Sequence, residues 1–353
     1  MRVGIIGLPQ GGKTTLFRAL LHGAHEGVMP GTAGAHHGTV PVPDPRFDYL
    51  VNLIKPKKAT PVSVEFIDGA AHISTERHKP AFGTDFFQGI RQVDALVHVI
   101  DAFSGTIDPL QAARRVDEEL LLADLMMVEA RLERLEKTLR ARKDAMPERA
   151  EHQALHYAKG LLEAETPMRL AQFTPDQLKL LRGFNFMTFK PVVVVANVDE
   201  ARLQGGDPLV ELEAYCCERG ERFVQLCAEI EWEITQLSPE EEPEFLQAMG
   251  IEQPARIRLI REVYDALGLI TFFTFNENEV RAWTLPRGST ALEAAGRIHS
   301  DMARGFIRAE VLSWQQMEQH GSWENAKQAG AIRLEHKEYV VQDGDVLYIR
   351  FKV

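Results

Sequence analysis

Cysteine is scarce in this sequence, which has 3 among 353 residues, at positions 216, 217 and 227. Their spacing is not that of a metal site, and a disulfide between the adjacent Cys216 and Cys217 would be strained. We therefore expect reduced thiols that carry no chemistry of their own.

Long apolar runs are also missing, since no stretch approaches the roughly 20 residues that a membrane span needs. The N-terminus starts directly with an apolar strand and lacks a signal-peptide layout. Together these features predict a cytoplasmic protein with no membrane partner. The formal net charge of −11 argues against a polyanion binder that uses its whole surface, but it leaves local basic patches possible.

Short apolar segments rich in β-branched residues alternate with helical or loop stretches, at residues 62–67, 95–100, 191–196 and 222–227. This alternation is typical of an α/β sheet with crossover helices. The chain length and a composition of 45% hydrophobic and 26% charged residues are those of a globular protein with two or three units.

The N-terminal segment GLPQGGKT, residues 7–14, fits the phosphate-loop pattern of two glycines that frame four free positions, followed by Lys and Thr. An apolar run precedes it, and Leu16, Phe17 and Leu20 behind it have helical spacing. In a strand, loop and helix of this kind, backbone N–H groups surround a phosphate. Lys13 would act on the terminal phosphates as the catalytic cation. The residues expected at the nucleotide are Gly7, Pro9, Gln10, Gly11, Gly12, Lys13, Thr14 and Thr15.

A magnesium ion should accompany the phosphates. Residues 62–67 form an apolar strand that ends at Asp68, whose carboxylate is placed to hold Mg²⁺ through a water. The Thr14 hydroxyl faces the same ion. Thr32, in a glycine-rich loop, is a third candidate, although an isolated Thr in such a loop can equally be a plain loop residue.

A base-reading loop is predicted where the strand at 191–196 runs into Asn197-Val198-Asp199-Glu200. It resembles the Asn-Lys-x-Asp signature of GTPases with two changes. Glu200 replaces the Asp that would accept two guanine hydrogens, and its longer arm spoils that bidentate fit. Val198 removes the Lys that packs along the base. Guanine discrimination should therefore be weakened.

A different kind of sequence follows residue 120, where apolar residues recur with 4-3-4-3-4 spacing at Leu121, Leu125, Val128, Leu132, Leu135 and Leu139. This pattern predicts a long helix, with a return leg over residues 150–165 after a reversal at Pro147, and an insert that closes around Phe189. Arg140, Arg142 and Lys143 cluster where the first helix should end. They fit either a solvated helix end favoured by the macrodipole or a phosphate contact to RNA.

The last 85 residues change character again. LITFFTFN is strand-like, residues 291–302 read as a helix, and two strands are expected around the turn Asp343-Gly344. The segment is a small β-rich unit.

Taken together, these segments resemble the YchF-type Obg-like ATPases over nearly the whole length of the chain. The matching segments are GLPQGGKTTL, VPVPDPRFDYLVNLIKPKK, VEFIDGA, ANVDE, LGLITFFTFNENEVRAWTLPRGSTALEAAGRIHSDMARGFIRAEV and YVVQDGDVLYIRF. The resemblance implies an α/β P-loop NTPase (GTPase-like) domain with an inserted α-helical hairpin and a small C-terminal α+β (β-grasp, TGS-like) domain. The corresponding ranges are 1–120 with 190–268, then 121–189, then 269–353.

The same resemblance implies a translation-associated NTPase that favours ATP over GTP, binds Mg²⁺, and contacts the ribosome at its large subunit or another RNA. We expect a monomer. The family's Asn-x-x-Glu base loop matches Asn197 and Glu200, and its Ser/Cys-Ala-Lys element matches Cys227 and Ala228, with Glu229 departing.

The switch segment after Asp68 departs further. Ala71 stands where a glycine amide would move toward the γ-phosphate, and an added Cβ restricts that motion. His72 could orient the attacking water, or it could be an ordinary surface histidine. We expect slow hydrolysis. The alternatives are a non-catalytic, nucleotide-bound ribosome or RNA adaptor and a GTPase with relaxed base specificity.

Overall fold

A computed structural model describes residues 1–21, 29–30, 36–68, 89–141, 146–205 and 209–352. They fall into two compact units, residues 1–40 with 65–263 and residues 41–64 with 264–353. Within the described ranges, no helix combines the length and the apolar character needed to cross a membrane.

The described strands are β1 (Arg2–Ile6), β2 (Met29–Pro30), β3 (His36–Pro41), β4 (Lys58–Thr60), β5 (Ser63–Asp68), β6 (Ala95–Asp101), β7 (Val192–Asn197), β8 (Arg222–Leu226), β9 (Leu269–Phe275), β10 (Glu279–Pro286), β11 (Phe306–Leu312), β12 (Arg333–Glu335) and β13 (Val346–Phe351). The described helices are α1 (Lys13–Leu21), α2 (Pro45–Ile54), α3 (Pro109–Ala141), α4 (Met146–Glu163), α5 (Pro175–Leu181), α6 (Glu200–Leu203), α7 (Val210–Glu218), α8 (Ala228–Gln236), α9 (Glu241–Met249), α10 (Ala255–Ala266), α11 (Ala291–Ile298), α12 (Ser300–Arg304), α13 (Trp314–His320) and α14 (Trp323–Gln328). Short 3₁₀ turns lie at Met168–Leu170, Arg182–Phe184 and Met187–Phe189.

The first unit is built on a seven-stranded sheet in the order β2-β3-β5-β1-β6-β7-β8. β1 pairs in parallel with β5 and β6, and β6, β7 and β8 continue the parallel arrangement. The central strands are continuous apolar runs because both of their faces are buried. The strand predictions for this sheet are confirmed to within one residue at each end, and the sheet brings the C-terminal ends of β1, β5, β6 and β7 to one edge.

The helix that leads into the insert begins before the predicted insert boundary at residue 121, and its first part packs with the sheet residues. α3 is one helix of 33 residues that begins at Pro109, and its return leg α4 begins at Met146. Pro147 was predicted to mark the chain reversal, but it is the second residue of α4, where the missing N–H of proline costs no hydrogen bond. The predicted seam is buried against α4 at Val128, Leu132 and Leu135.

The second unit has a six-stranded sheet in the order β12-β11-β13-β9-β10-β4. Two predictions for this unit are wrong in detail. The helix expected over 291–302 is interrupted at His299, whose backbone is extended and whose imidazole accepts a hydrogen bond from Asp301 N at 3.2 Å. The strand expected before Asp343 is reduced to a single bridge at Val340, because the Asp345 carboxylate organises this segment as a turn.

Residues 41–64 depart from the predicted domain division. The sequence predicts that they belong to the nucleotide-binding domain, but β4 pairs in parallel with β10 of the second sheet. Arg46, at the start of α2, forms ion pairs with Asp44 and Asp343, both at 2.8 Å. A strand order of this kind cannot be read from local sequence. The three-domain division otherwise stays a prediction.

Candidate nucleotide site

The phosphate loop connects β1 to α1 and has three residues in the left-handed region, Gly7 (φ 142°), Gln10 (φ 63°) and Gly12 (φ 89°). A Cβ on Gly7 would lie 2.2 Å from the Val99 carbonyl oxygen, and one on Gly12 would lie 2.1 Å from Asn197 Nδ2. Both glycines are therefore required by backbone conformation and by close approach. Gln10 adopts its conformation without this freedom, which costs about 1–2 kcal/mol and is typical of functional loops.

The loop ends where α1 begins, at Lys13. The first N–H groups of a helix have no partner within the helix, and they carry the positive end of its dipole. Thr14 and the Lys13 side chain lie at this end, and Thr14 is exposed. The arrangement suits an anion with several oxygens, such as a polyphosphate.

The Lys13 ammonium is held close to the loop itself. Its Nζ donates a hydrogen bond to the Leu8 carbonyl oxygen at 2.6 Å. Burial lowers the pKa of Lys13 below its usual range, and the Asp68 carboxylate opposes part of that shift. A partly desolvated ammonium with further N–H donors can gain strongly from an incoming phosphate oxygen.

Thr14 and Asp68 meet beside the loop. The Thr14 hydroxyl donates to Asp68 Oδ2 at 3.1 Å, and the Asp68 side chain is buried at the end of β5. Hydroxyl and carboxylate oxygens are the ligand types that Mg²⁺ prefers. These two residues therefore fit the magnesium ion predicted from the sequence. Thr32, the third predicted ligand, lies outside the described residues.

Asn197 connects the phosphate loop to the predicted base-contact segment. Its Nδ2 donates to the Gly11 carbonyl at 3.1 Å, and its Oδ1 accepts from Ala228 N at 2.9 Å. Asn197 is buried. A side-chain amide has a second hydrogen and a second lone pair, so this bridge leaves one of each for a base. The visible role of Asn197 is to position two loops; its contact with a base stays a prediction.

The other predicted base-contact residues surround this bridge. Glu200 is exposed in the first turn of α6, where its Oε1 accepts from Gln204 Nε2 at 3.0 Å. Cys227 precedes α8, and burial raises the pKa of its thiol. Ala228 is the first residue of α8 and is buried.

His98 is a residue that the sequence reading missed. It lies on β6, is 2% exposed, and lines a cavity of about 250 Å³ together with the phosphate-loop residues Leu8, Pro9 and Gln10. Burial lowers its pKa to about 4, Asp117 opposes the shift, and Lys13 adds to it. The ring is therefore neutral at physiological pH. A histidine inside the otherwise apolar run ALVHVI was the available signal.

Of the remaining predicted residues, the structure describes Arg140 alone. Arg140 is exposed at the end of α3, where it pairs with Glu136 at 3.5 Å. Ala71, His72, Arg142 and Lys143 lie outside the described residues. The structure thus brings together the phosphate loop, Thr14, Asp68 and Asn197 at one edge of the sheet.

A parallel sheet, a glycine loop that leads into a helix, and a Thr–Asp pair beside a lysine define a P-loop NTPase of the GTPase-like class. A family model described as "50S ribosome-binding GTPase" matches residues 2–131, and the YchF-GTPase_C model, described as a protein of unknown function, matches residues 269–352. The chain belongs to the YchF family. Relatives named "Ribosome-binding ATPase YchF" are 40% identical in Bacillus subtilis and 36% identical in Escherichia coli O157:H7, and the matches cover 100% of this chain and 100% and 99% of those proteins.

Solved structures agree with this assignment. The structure of the Schizosaccharomyces pombe YchF GTPase matches 99% of this chain and 97% of its own, with a TM-score of 0.87 and 27% identity. A GTP binding protein from Pyrococcus horikoshii shares the fold, with a TM-score of 0.60 at 17% identity. The predicted fold class and family resemblance are confirmed.

Proposed function

We propose that this protein is a cytoplasmic, ribosome-associated P-loop NTPase that slowly hydrolyses ATP, and less readily GTP, to the nucleoside diphosphate and phosphate. The observation that carries the proposal is the loop-to-helix junction at which Lys13 and the Thr14–Asp68 pair converge. Its support from relatives is the name "Ribosome-binding ATPase YchF", carried by proteins 33–40% identical over full length.

In this proposal the phosphates accept hydrogen bonds from backbone N–H groups of the phosphate loop and of the first residues of α1. Lys13 exchanges its hydrogen bond with the Leu8 carbonyl for a phosphate oxygen, which neutralises charge that builds up during transfer. Thr14 and Asp68, with Thr32, would hold Mg²⁺, and the ion would neutralise charge on the phosphates. Water attacks in line, and His72 is the candidate for orienting it.

Base selection is assigned to Asn197, Glu200, Cys227 and Ala228. Glu200 is exposed and paired only with Gln204 among the described residues, so it is available to a ligand. A Glu in place of Asp cannot reach both guanine donors with the same fork geometry. We therefore expect ATP to be preferred.

Partner contact is assigned to the outer end of the hairpin, at Arg140, Arg142 and Lys143, and to the unit that contains residues 269–353. The large ribosomal subunit is the expected partner, since the model that matches residues 2–131 is described as a 50S ribosome-binding GTPase. Arg140 is 81% exposed, as a phosphate contact requires. We expect the protein to act as a monomer.

The proposal is tested by calorimetric titration of the nucleotide-free protein with non-hydrolysable ATP and GTP analogues in Mg²⁺. ATP should bind several-fold more tightly than GTP, and Lys13→Ala should abolish binding. Tighter GTP binding would favour a GTPase with relaxed specificity. A second assay measures phosphate release from ATP over many turnovers. Nucleotide binding without phosphate release would favour the non-catalytic adaptor, the alternative suggested by Ala71 in the switch segment.

A further inference from the structure

Three metal-binding side chains converge in the outer half of the helical hairpin, away from the nucleotide site. Glu136 lies on α3, and His152 and His156 lie on α4. One ligand atom from each residue lies within 4.8 Å of the other two. The two imidazole rings are 4.6 Å apart between centroids.

This convergence follows from helix geometry. His152 and His156 are four residues apart, so both lie on one face of α4. On the same face, one heptad away on each helix, Lys159 pairs with Glu129 at 2.8 Å. Glu136 follows Glu129 by seven residues, and His152 precedes Lys159 by seven. The hairpin register that joins Glu129 to a lysine therefore joins Glu136 to two histidines.

We infer that Glu136, His152 and His156 bind a divalent transition-metal ion of the Zn²⁺ class, which bridges α3 and α4. Two imidazole nitrogens and one carboxylate oxygen form a donor set that suits Zn²⁺, Co²⁺ or Ni²⁺, whereas Mg²⁺ and Ca²⁺ prefer oxygen ligands alone. The Mg²⁺ expected at Thr14 and Asp68 is thus chemically distinct from this ion.

The distances fit after a small side-chain adjustment. Ligand atoms at about 2.1 Å around a tetrahedral ion lie about 3.4 Å from one another. Glu136 and His156 are exposed and His152 is half-buried, so rotamer changes can close the remaining gap. The exposed side of the cluster leaves the fourth position to water. Arg140, 3.5 Å from Glu136 and 81% exposed, is a weak competitor for that carboxylate.

A bound ion would have two effects on the hairpin. It would tie the last turns of α3 to the first turns of α4, and it would stabilise the folded chain by the binding free energy available at the prevailing metal concentration. It would also add positive charge next to Arg140. Both effects act on the part of the hairpin that we assign to partner contact, but the metal site itself does not depend on that assignment.

The test uses the full-length protein, stripped of metal by chelator, without nucleotide and in excess Mg²⁺. Co²⁺ is titrated and followed by visible absorption, and Zn²⁺ is then added as competitor. We expect one site per chain of micromolar or tighter affinity, displaced by Zn²⁺. Each of Glu136→Gln, His152→Gln and His156→Gln should weaken binding by at least about tenfold, since even second-shell changes commonly cost 10–100-fold.

Two matched variants serve as controls. Glu133→Gln removes a carboxylate that lies on α3, as Glu136 does, and that pairs with Lys137. His320→Gln removes a histidine at the end of α13. Neither should change Co²⁺ binding. Zn²⁺ should raise the unfolding temperature of the unmodified protein and of both controls, but not of the three ligand variants. Binding weaker than micromolar, or binding that the three variants leave unchanged, would overturn the inference.

Discussion

The phosphate loop and the helical hairpin place polar groups in contrasting ways. In the loop, single atoms decide the geometry: Asn197 Nδ2 lies where a Cβ of residue 12 would be, and one carbonyl holds the Lys13 ammonium. In the hairpin, α3 and α4 contact each other through an apolar seam, and ion pairs are spread along its surface.

One position in the hairpin is an exception to this contrast. Asp124, at the base of the hairpin, is fully buried and accepts hydrogen bonds from Thr188 N at 2.8 Å and Thr188 Oγ1 at 2.9 Å. Arg91 lies 3.3 Å from its other oxygen. The base of the hairpin therefore depends on specific buried hydrogen bonds, as the phosphate loop does, whereas the middle and outer parts depend on apolar packing and surface ion pairs. We expect substitutions at the base to lower the stability of the protein more than substitutions further out.

The largest effect is expected from Gly12→Ala. The new Cβ would collide with Asn197 Nδ2, and the left-handed backbone would be strained. We expect nucleotide affinity to fall by at least about 1,000-fold, or about 4 kcal/mol, in the titration described above. Gly11→Ala is the matched control, because its Cβ would meet nothing closer than 3.5 Å. Equal losses in both variants would contradict the steric explanation.

A smaller effect is expected from Asp124→Ala, which leaves the buried Thr188 N–H without its acceptor. The free energy of unfolding should drop by about 3 kcal/mol in urea titrations. Arg131→Ala, which removes a partly exposed pair with Glu151 in the middle of the hairpin, should cost less than about 1 kcal/mol. Similar values for the two variants would remove the distinction between base and middle.

The third effect is smaller than that of Asp124→Ala; it comes from His98 and depends on pH. Its folded pKa of about 4 lies below the usual value of 6.5, so the unfolded chain binds a proton first as pH falls. Stability from His98 is therefore fully present above about pH 6.5 and is lost toward pH 4, by about 2 kcal/mol between pH 7.5 and pH 5.

The measurement compares urea unfolding of the unmodified protein and His98→Gln across that pH range. The variant should lack this part of the pH dependence. Glu221 contributes with the opposite sign, because burial raises its pKa to about 8, but it does so in both proteins. If the free energy of unfolding depends on pH in the same way in both proteins, His98 binds its proton equally well in the folded and unfolded chain, and the prediction is wrong.

The phosphate loop could be predicted because its residues are contiguous in sequence and because its local backbone conformation requires glycine. The Asn197 bridge could not, because its partner Gly11 is 186 residues away. The position of His98 beside the loop likewise depends on the register of β1 against β6. Local sequence therefore indicates the residues that we expect at the phosphates, whereas Asn197 and His98, which contact the loop from other strands, become evident only in the folded sheet.

The fold was predictable to a similar extent. Apolar runs marked the central strands, and the heptad seam marked α3. The interruption at His299 lies inside a segment with helical periodicity, and it depends on a side-chain cap that periodicity does not encode. The segment Lys58-Ala59-Thr60 has no alternating apolar pattern, so its place at a sheet edge appears only with its partner β10.

The position of β4 has a consequence for the order of folding. Thr60 donates to Glu279, 219 residues later in the chain, so this edge of the second sheet closes only after nearly four-fifths of the protein has been made. Contacts so distant in sequence are slow to form. During synthesis, which exposes the N-terminal part first, residues 41–64 must wait for their partner strand. The second sheet is thus expected to be the last part of the protein to reach its native state.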